Sequence, residues 1–219
     1  MAIKLKEMNK LKVPFLKNLV AGNAEEIKGI LINNGKQASV DIVNWVEYPH
    51  IPEVQFFVGH SGTHLWIHFE IKNDYIIAEN WADQDPVWQD ACVEFFMLVG
   101  NEYRNFEFNC LGVCLSAVGP NRNSRTSISK EDLVKIIRYP AFSPNNIPKE
   151  GTQADWSLTI GIPFDLTGLK AGMTFKGNFY KCGDETKIPH YLSWAPISTE
   201  NPDFHRPEFF GEIELESTN

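Results

Sequence analysis

Trp81-Ala-Asp-Gln-Asp-Pro-Val-Trp88-Gln-Asp-Ala-Cys-Val-Glu94-Phe-Phe-Met-Leu98 passes from a polar loop, holding two tryptophans and three aspartates, into a nearly continuous apolar strand. In a strand from Ala91 to Val99, alternation puts Val93, Phe95 and Met97 on one face and Cys92, Glu94, Phe96 and Leu98 on the other. An ionised carboxylate among apolar neighbours is costly without a partner. Glu94 is therefore expected to meet a ligand, with Trp88 as the flat surface beside it. The competing reading is an internal ion pair, with Arg122, Arg125 or Lys176 neutralising Glu94 and Glu107.

Outward from this stretch the period stays near two. Between Tyr103 and Cys110, one side carries Arg104, Phe106, Phe108 and Cys110, and the other Tyr103, Asn105, Glu107 and Asn109. If this segment and the Glu94 strand form a hairpin, Glu94, Glu107 and Asn109 rise from one sheet surface. Upstream, Leu65, Ile67, Phe69 and Ile71 oppose His64, Trp66, His68, Glu70 and Lys72, with Ser61-Gly62 as the hairpin turn in front. The second set is expected to form an exposed sheet face. Asn23 with Glu26 reads as a helix cap, followed by a stripe of Ala24, Ile27 and Leu31 and a stop at Gly35. Ile3 and Leu5, alternating with Lys4 and Lys6, suggest a lysine-guarded edge strand.

Further strands are expected at Val40–Ile42, Val54–Val58, Val113–Val118, Trp156–Ile162, Met173–Tyr180 and Phe209–Leu215, with a short helix after Ser129. Residues 140 to 153, rich in Pro, Asn and Gly, read as a loop. Roughly ten short strands with only two or three short helices predict an all-β fold, an antiparallel β-sandwich of the immunoglobulin or jelly-roll kind. Residues 1–219 form a single domain on this reading, with no internal repeat or linker.

The net charge of −8 disfavours a phosphate-backbone partner, so no nucleic acid is expected. No run of eighteen apolar residues exists, and no membrane partner is expected. Lysines interrupt the apolar residues at the N-terminus, which lacks a signal-peptide core; a cytoplasmic location follows unless a targeting segment has been removed. Cys92, Cys110, Cys114 and Cys182 lie in apolar strand patterns without a CxxC pair and are expected as buried free thiols.

Carboxylates and amides interleaved with aromatics suit a sugar: hydroxyls donate to the carboxylates while the CH-rich ring face lies on an indole. Arg122 and Arg125, on the loop after Gly119, are donors for sugar oxygens. Two carboxylates also raise glycoside hydrolysis by Glu94 and Glu107, which requires a separation that sequence does not supply. A sandwich holding a non-sugar ligand or a protein partner is the third reading. His64 and His68, four apart in a strand, stand about 13 Å apart, too far for one ion. Asp83, Asp85 and Asp90 are candidates for a structural calcium or, without EF-hand spacing, for loop capping. Glycine-rich phosphate loops, dinucleotide fingerprints and Gly-x-Ser-x-Gly elbows are absent.

At Val87-Trp88-Gln-Asp-Ala-Cys-Val-Glu94-Phe-Phe the chain resembles the family-nine carbohydrate-binding modules and their DOMON-like relatives. Tyr103-Arg-Asn-Phe-Glu107-Phe-Asn109, Gly177-Asn-Phe-Tyr-Lys, Leu192-Ser-Trp194 and Phe204-His-Arg-Pro-Glu-Phe-Phe-Gly211 extend the resemblance, which reaches from about Ile42 to Leu215. It implies a non-catalytic β-sandwich that grips a mono- or oligosaccharide, often a chain end, between two tryptophans. Trp88 takes the first clamp position and Trp194 the second. Glu94 falls at the hydrogen-bonding carboxylate, and either Arg122 or Arg125 supplies the family's arginine. Glu107 and Asn109 fall where amide side chains are usual, so Glu107 departs from the pattern. Tyr191 stands where better-studied members carry asparagine. Many such relatives are appended to secreted xylanases and similar enzymes.

Overall fold

A computed structural model describes residues 9–218. The edge strand expected at Ile3–Lys6 lies outside them. The strands of the first half are β1 (Lys10–Val13), β2 (Lys36–Ser39), β3 (Ile42–Val43), β4 (Glu53–His60), β5 (His64–Tyr75), β6 (Cys92–Val99) and β7 (Glu102–Asn109). Those of the second half are β8 (Cys114–Gly119), β9 (Thr126–Ser127), β10 (Ile137–Pro140), β11 (Gln153–Pro163), β12 (Thr174–Cys182), β13 (Tyr191–Ser193) and β14 (Gly211–Leu215). They build two sheets, one of order β1-β14-β12-β6-β7-β8-β9 with β13 and β3 attached beside β12, the other of order β10-β11-β5-β4-β2. Every ladder is antiparallel except β1 on β14. The all-β sandwich expected from the period-two patterning is the fold observed.

Three apolar layers explain why so many strands are buried on both faces. Between the sheets lie Val93, Phe95, Met97, Phe106, Phe108 and Phe179 of the large sheet, facing Phe56, Ile67, Phe69, Leu158 and Ile160 of the small one. Behind the small sheet, helix α1 (Ala24–Asn34) lays Ile27 and Leu31 on Phe57 and Trp66. Its cap is the expected one: the Asn23 carboxamide oxygen accepts from the Glu25 and Glu26 amides at 2.9 and 3.2 Å. The middle of the β5 face expected in solvent, Trp66 and His68, is thus covered, while Lys72 at its end is exposed. Trp66 packs on Gly161, and His68, also buried, bonds Thr159 Oγ1 at 2.7 Å. The alternation was right, but a short helix supplied a second cover that the period of β5 cannot signal.

The third layer is outside the large sheet. Cys92, Phe96, Tyr103, Tyr180 and Cys182 project there and are roofed by loop residues Trp45, Ile197, Phe204 and Phe210. Phe204 stacks on Tyr180 at 4.2 Å with planes 9° apart. The roof is incomplete over β6 and β7, and the gap is the candidate site.

Candidate functional site

β6 and β7 form the hairpin that brings the acids together, with Glu94 and Glu107 as direct cross-strand partners. Both belong to the outer face and form part of the wall of a cavity of about 240 Å³. Trp88, Arg122, Arg125 and Tyr191 also line it, as do Leu115, Cys182 and Asp184. The segment from Pro202 to His205 closes one side.

The floor is a carboxyl pair without a matching cation. Glu94 and Glu107 are 3% exposed, and neither makes an ion pair among the described residues. The expected internal pairing with Arg122, Arg125 or Lys176 is therefore not what holds them. Glu94 Oε1 accepts from the Cys182 thiol at 3.2 Å, and Glu107 Oε1 accepts from the Asn105 amide at 3.0 Å. The second oxygen of each is buried and unpartnered. Burial raises Glu94 well above the usual carboxylate range, with the neighbouring Cys182 and Glu107 adding to the effect. Burial likewise pushes Glu107 up to about 7, against the pull of Arg125. Asp184 at the rim is raised to about 6 by the same desolvation.

A relay fixes the donors on the other side. Arg125 donates to Asn105 Oδ1 at 2.7 Å, so Asn105 couples the guanidinium to Glu107 without contact between them. The His205 ring stacks on Phe96, its Nδ1 2.6 Å from the Tyr103 hydroxyl and 3.3 Å from Arg125. Burial, with Arg125 and Arg122 adding, lowers His205 to about 3, so it is neutral at ordinary pH. With Nδ1 accepting, the proton sits on Nε2. Arg122 pairs with Asp203 at 3.2 Å on the surface.

At the mouth, Trp88 is 38% exposed, whereas its neighbour Val87 is fully buried and anchors the turn. Three aspartates fix the loop that carries it. Asp83 takes a two-pronged contact from Arg138 (2.6 and 3.0 Å), Asp85 accepts from the Trp81 and Ala82 amides, and Asp90 accepts from those of Glu79 and Asn80. Loop capping accounts for Asp85 and Asp90, and an ion pair with Arg138 for Asp83. They are not gathered as a ligand set among the described residues, which leaves the calcium expectation without a site there.

Two expected ligand-binding residues are not in the cavity. Asn109 is buried with every polar group engaged, its Nδ2 donating to Asn80 O and Asp90 Oδ2 and its Oδ1 accepting from Leu111 and Val113. It builds the turn after β7 and leaves nothing for a ligand. Trp194 is 7% exposed and belongs to the core between the sheets, edge-on to Phe179 at 5.8 Å and laid over Gly211. The second clamp position is thus a correction. An offset of three along an extended chain reverses the face, so Tyr191 reaches the outer cavity and Trp194 the interior. Conversely, Cys182, Asp184, Phe204 and His205 were not anticipated as lining residues. For Cys182 the alternation in β12 was an available signal, because it shares a face with Tyr180; the other three sit on loops whose reach no period encodes.

The model of carbohydrate-binding family 9 matches residues 27–215. The chain belongs to that family. A crystal structure from Bacteroides uniformis ATCC 8492, of a protein to which carbohydrate binding is provisionally ascribed, is 36% identical and superposes with a TM-score of 0.87, covering 95% of this chain and 100% of that one. Two structures of a family 9 module from Caldicellulosiruptor kristjanssonii share the fold at 12% and 13% identity. The first, in complex with cellotriose, has a TM-score of 0.62 and covers 96% of this chain and 95% of its own. The second, in complex with glucose, has a TM-score of 0.64 and covers 96% and 97%. No curated protein matches the sequence.

Proposed function

We propose that this family 9 domain binds a mono- or short oligosaccharide in the cavity over β6 and β7, without cleaving it. The observation that carries the reading is the pair of unpartnered carboxyl oxygens, Glu94 Oε2 and Glu107 Oε2, beneath a partly exposed indole. A neutral polyol supplies the hydroxyl donors these oxygens lack, and bringing in no charge it adds no new ion to desolvate. Trp88 offers a flat apolar surface to the CH face of the ring. Arg125, held by Asn105, and Arg122 are placed as donors to ring or hydroxyl oxygens. Tyr191 supplies a further hydroxyl at the rim. The small volume favours a single ring, which accords with a monosaccharide or a chain end. The sugars bound by the Caldicellulosiruptor module make glucose and cello-oligosaccharides the first ligands to try.

The match to a carbohydrate-binding family favours binding over hydrolysis. Glu94 and Glu107 are cross-strand neighbours on one sheet surface, so a single sugar ring can lie over both. A glycan panel assayed for both affinity and release of reducing ends tests the reading. Saturable binding without release is expected. Turnover by wild type that Glu94→Gln abolishes would select the enzyme instead, and saturation by a non-sugar alone would select another ligand class.

A further inference from the structure

Two groups of metal-ligating side chains occur among the described residues: His50, Asp74 and His190, with His50 half-buried, and the fully buried Cys92, Glu94 and Cys182. The first already contains a cation. Lys181 Nζ stands 3.0 Å from Asp74 Oδ2 and 2.8 Å from His190 Nε2, so the acid of this group is already neutralised. The second contains none, since no cationic side chain among the described residues pairs with Glu94.

We infer that the floor of the cavity is a site for one zinc-class divalent cation, ligated by Cys92 Sγ, Cys182 Sγ and a carboxylate oxygen of Glu94. The register creates the set. Cys92 and Cys182 are cross-strand partners on β6 and β12, and Glu94, two residues beyond Cys92, shares their face. The ligand atoms all lie within 4.8 Å of one another. Tetrahedral zinc with sulfur at about 2.3 Å and oxygen at about 2.1 Å needs ligands spaced roughly 3.6–3.8 Å apart. The Cys182–Glu94 contact of 3.2 Å therefore has to open by only a few tenths of an ångström. Glu94 Oε2, buried and unpartnered, is a second oxygen available to the ion.

Two sulfurs and one carboxylate select a borderline-soft ion over calcium or magnesium, which take oxygen ligands. Glu94 and Cys182 both line the cavity, so the fourth position opens into it and takes water or a ligand hydroxyl, the arrangement of an open rather than a closed zinc site. Loading expels both thiol protons and the Glu94 carboxyl proton to solvent, and the ion replaces the Cys182–Glu94 hydrogen bond. The site does not depend on the cavity's ligand being a sugar.

The test is a Co²⁺ titration of the full chain, reduced and metal-free. A near-ultraviolet sulfur-to-cobalt charge-transfer band, saturating at one equivalent and bleached by Zn²⁺, is expected. Cys92→Ser and Cys182→Ser each should abolish it, while Cys110→Ala should retain it. X-ray absorption of the Zn²⁺-loaded wild type reads the ligands even if a variant fails to fold, and two sulfur scatterers at about 2.3 Å are expected. A folded wild type giving no charge-transfer band, a band that survives the double cysteine substitution, or a zinc shell of nitrogen and oxygen alone overturns the assignment. None of these readouts involves a sugar, so their failure is separable from failure of saccharide binding.

Discussion

Lys181 and Cys182 are consecutive in β12 and point to opposite faces of the large sheet, and the two buried acid clusters they meet are solved in opposite ways. Between the sheets, Asp74 receives the Lys181 ammonium at 3.0 Å and the Trp156 indole N–H at 2.8 Å. The remaining Lys181 donors go to Cys182 O and His190 Nε2. On the outer face, Glu94 and Glu107 are equally buried but meet only a thiol and an amide. The inner cluster carries its own counter-charge, although Asp74 Oδ1 also lacks a hydrogen bond; the outer one has no cation paired to its acids and opens into a cavity. Burial alone therefore does not separate the two sets of acids; the lack of a paired cation beside an opening does.

The contrast is tested most strongly at Lys181. Lys181→Met leaves the Asp74 carboxylate buried without its ammonium and should destabilise the fold by about 3–5 kcal/mol in chemical denaturation. A loss below about 1 kcal/mol would remove the distinction between the clusters. Glu94→Gln probes the other side with the opposite sign: stability unchanged or raised, because a desolvated acid is removed, and saccharide affinity reduced. Loss of hydrogen bonds worth about 0.5–1.5 kcal/mol corresponds to roughly 2- to 10-fold in Kd by calorimetry. Unfolding of Glu94→Gln at lower denaturant than wild type would place Glu94 among the structural ion clusters instead.

Proton linkage sharpens the same point more gently. Glu107, raised from 4.5 to about 7, keeps in the folded state a proton that the unfolded chain releases. Its contribution to stability is complete below about pH 4.5, falls as pH rises to about 7 and is flat beyond, with a slope of at most about 1.4 kcal/mol per pH unit. The stability difference between wild type and Glu107→Gln should follow that course, and a difference independent of pH over this range would contradict it.

Much of this was legible in the sequence because alternation reports faces directly. It foretold the β6–β7 hairpin, the shared surface of Glu94 and Glu107 and the sandwich itself, while the Asn23 cap was legible from residue type and its spacing to Glu26. It failed where a face is covered by something distant. Helix α1 hides Trp66 and His68, and neither covering residue Ile27 nor Leu31 is near them in the chain. Asn109 follows the right period but ends a strand, and its side chain is drawn into the turn. Trp194 was placed by resemblance to a clamp, although its odd offset from Tyr191 already set the two on opposite faces. Asp184 and His205 reach the cavity from loops, for which spacing carries no directional information.

The most direct measurement is a calorimetric titration of the tightest-binding saccharide from the panel against wild type and Trp88→Ala, with thermal unfolding of both. Trp88 is at the mouth and Trp194 in the core, so Trp88→Ala should weaken binding about tenfold or more, some 1.4 kcal/mol, with little change in stability. Trp194→Ala, as the control, should cost about 3–5 kcal/mol of stability. Undiminished affinity in a folded Trp88→Ala protein would contradict the assignment of this cavity as the sugar site.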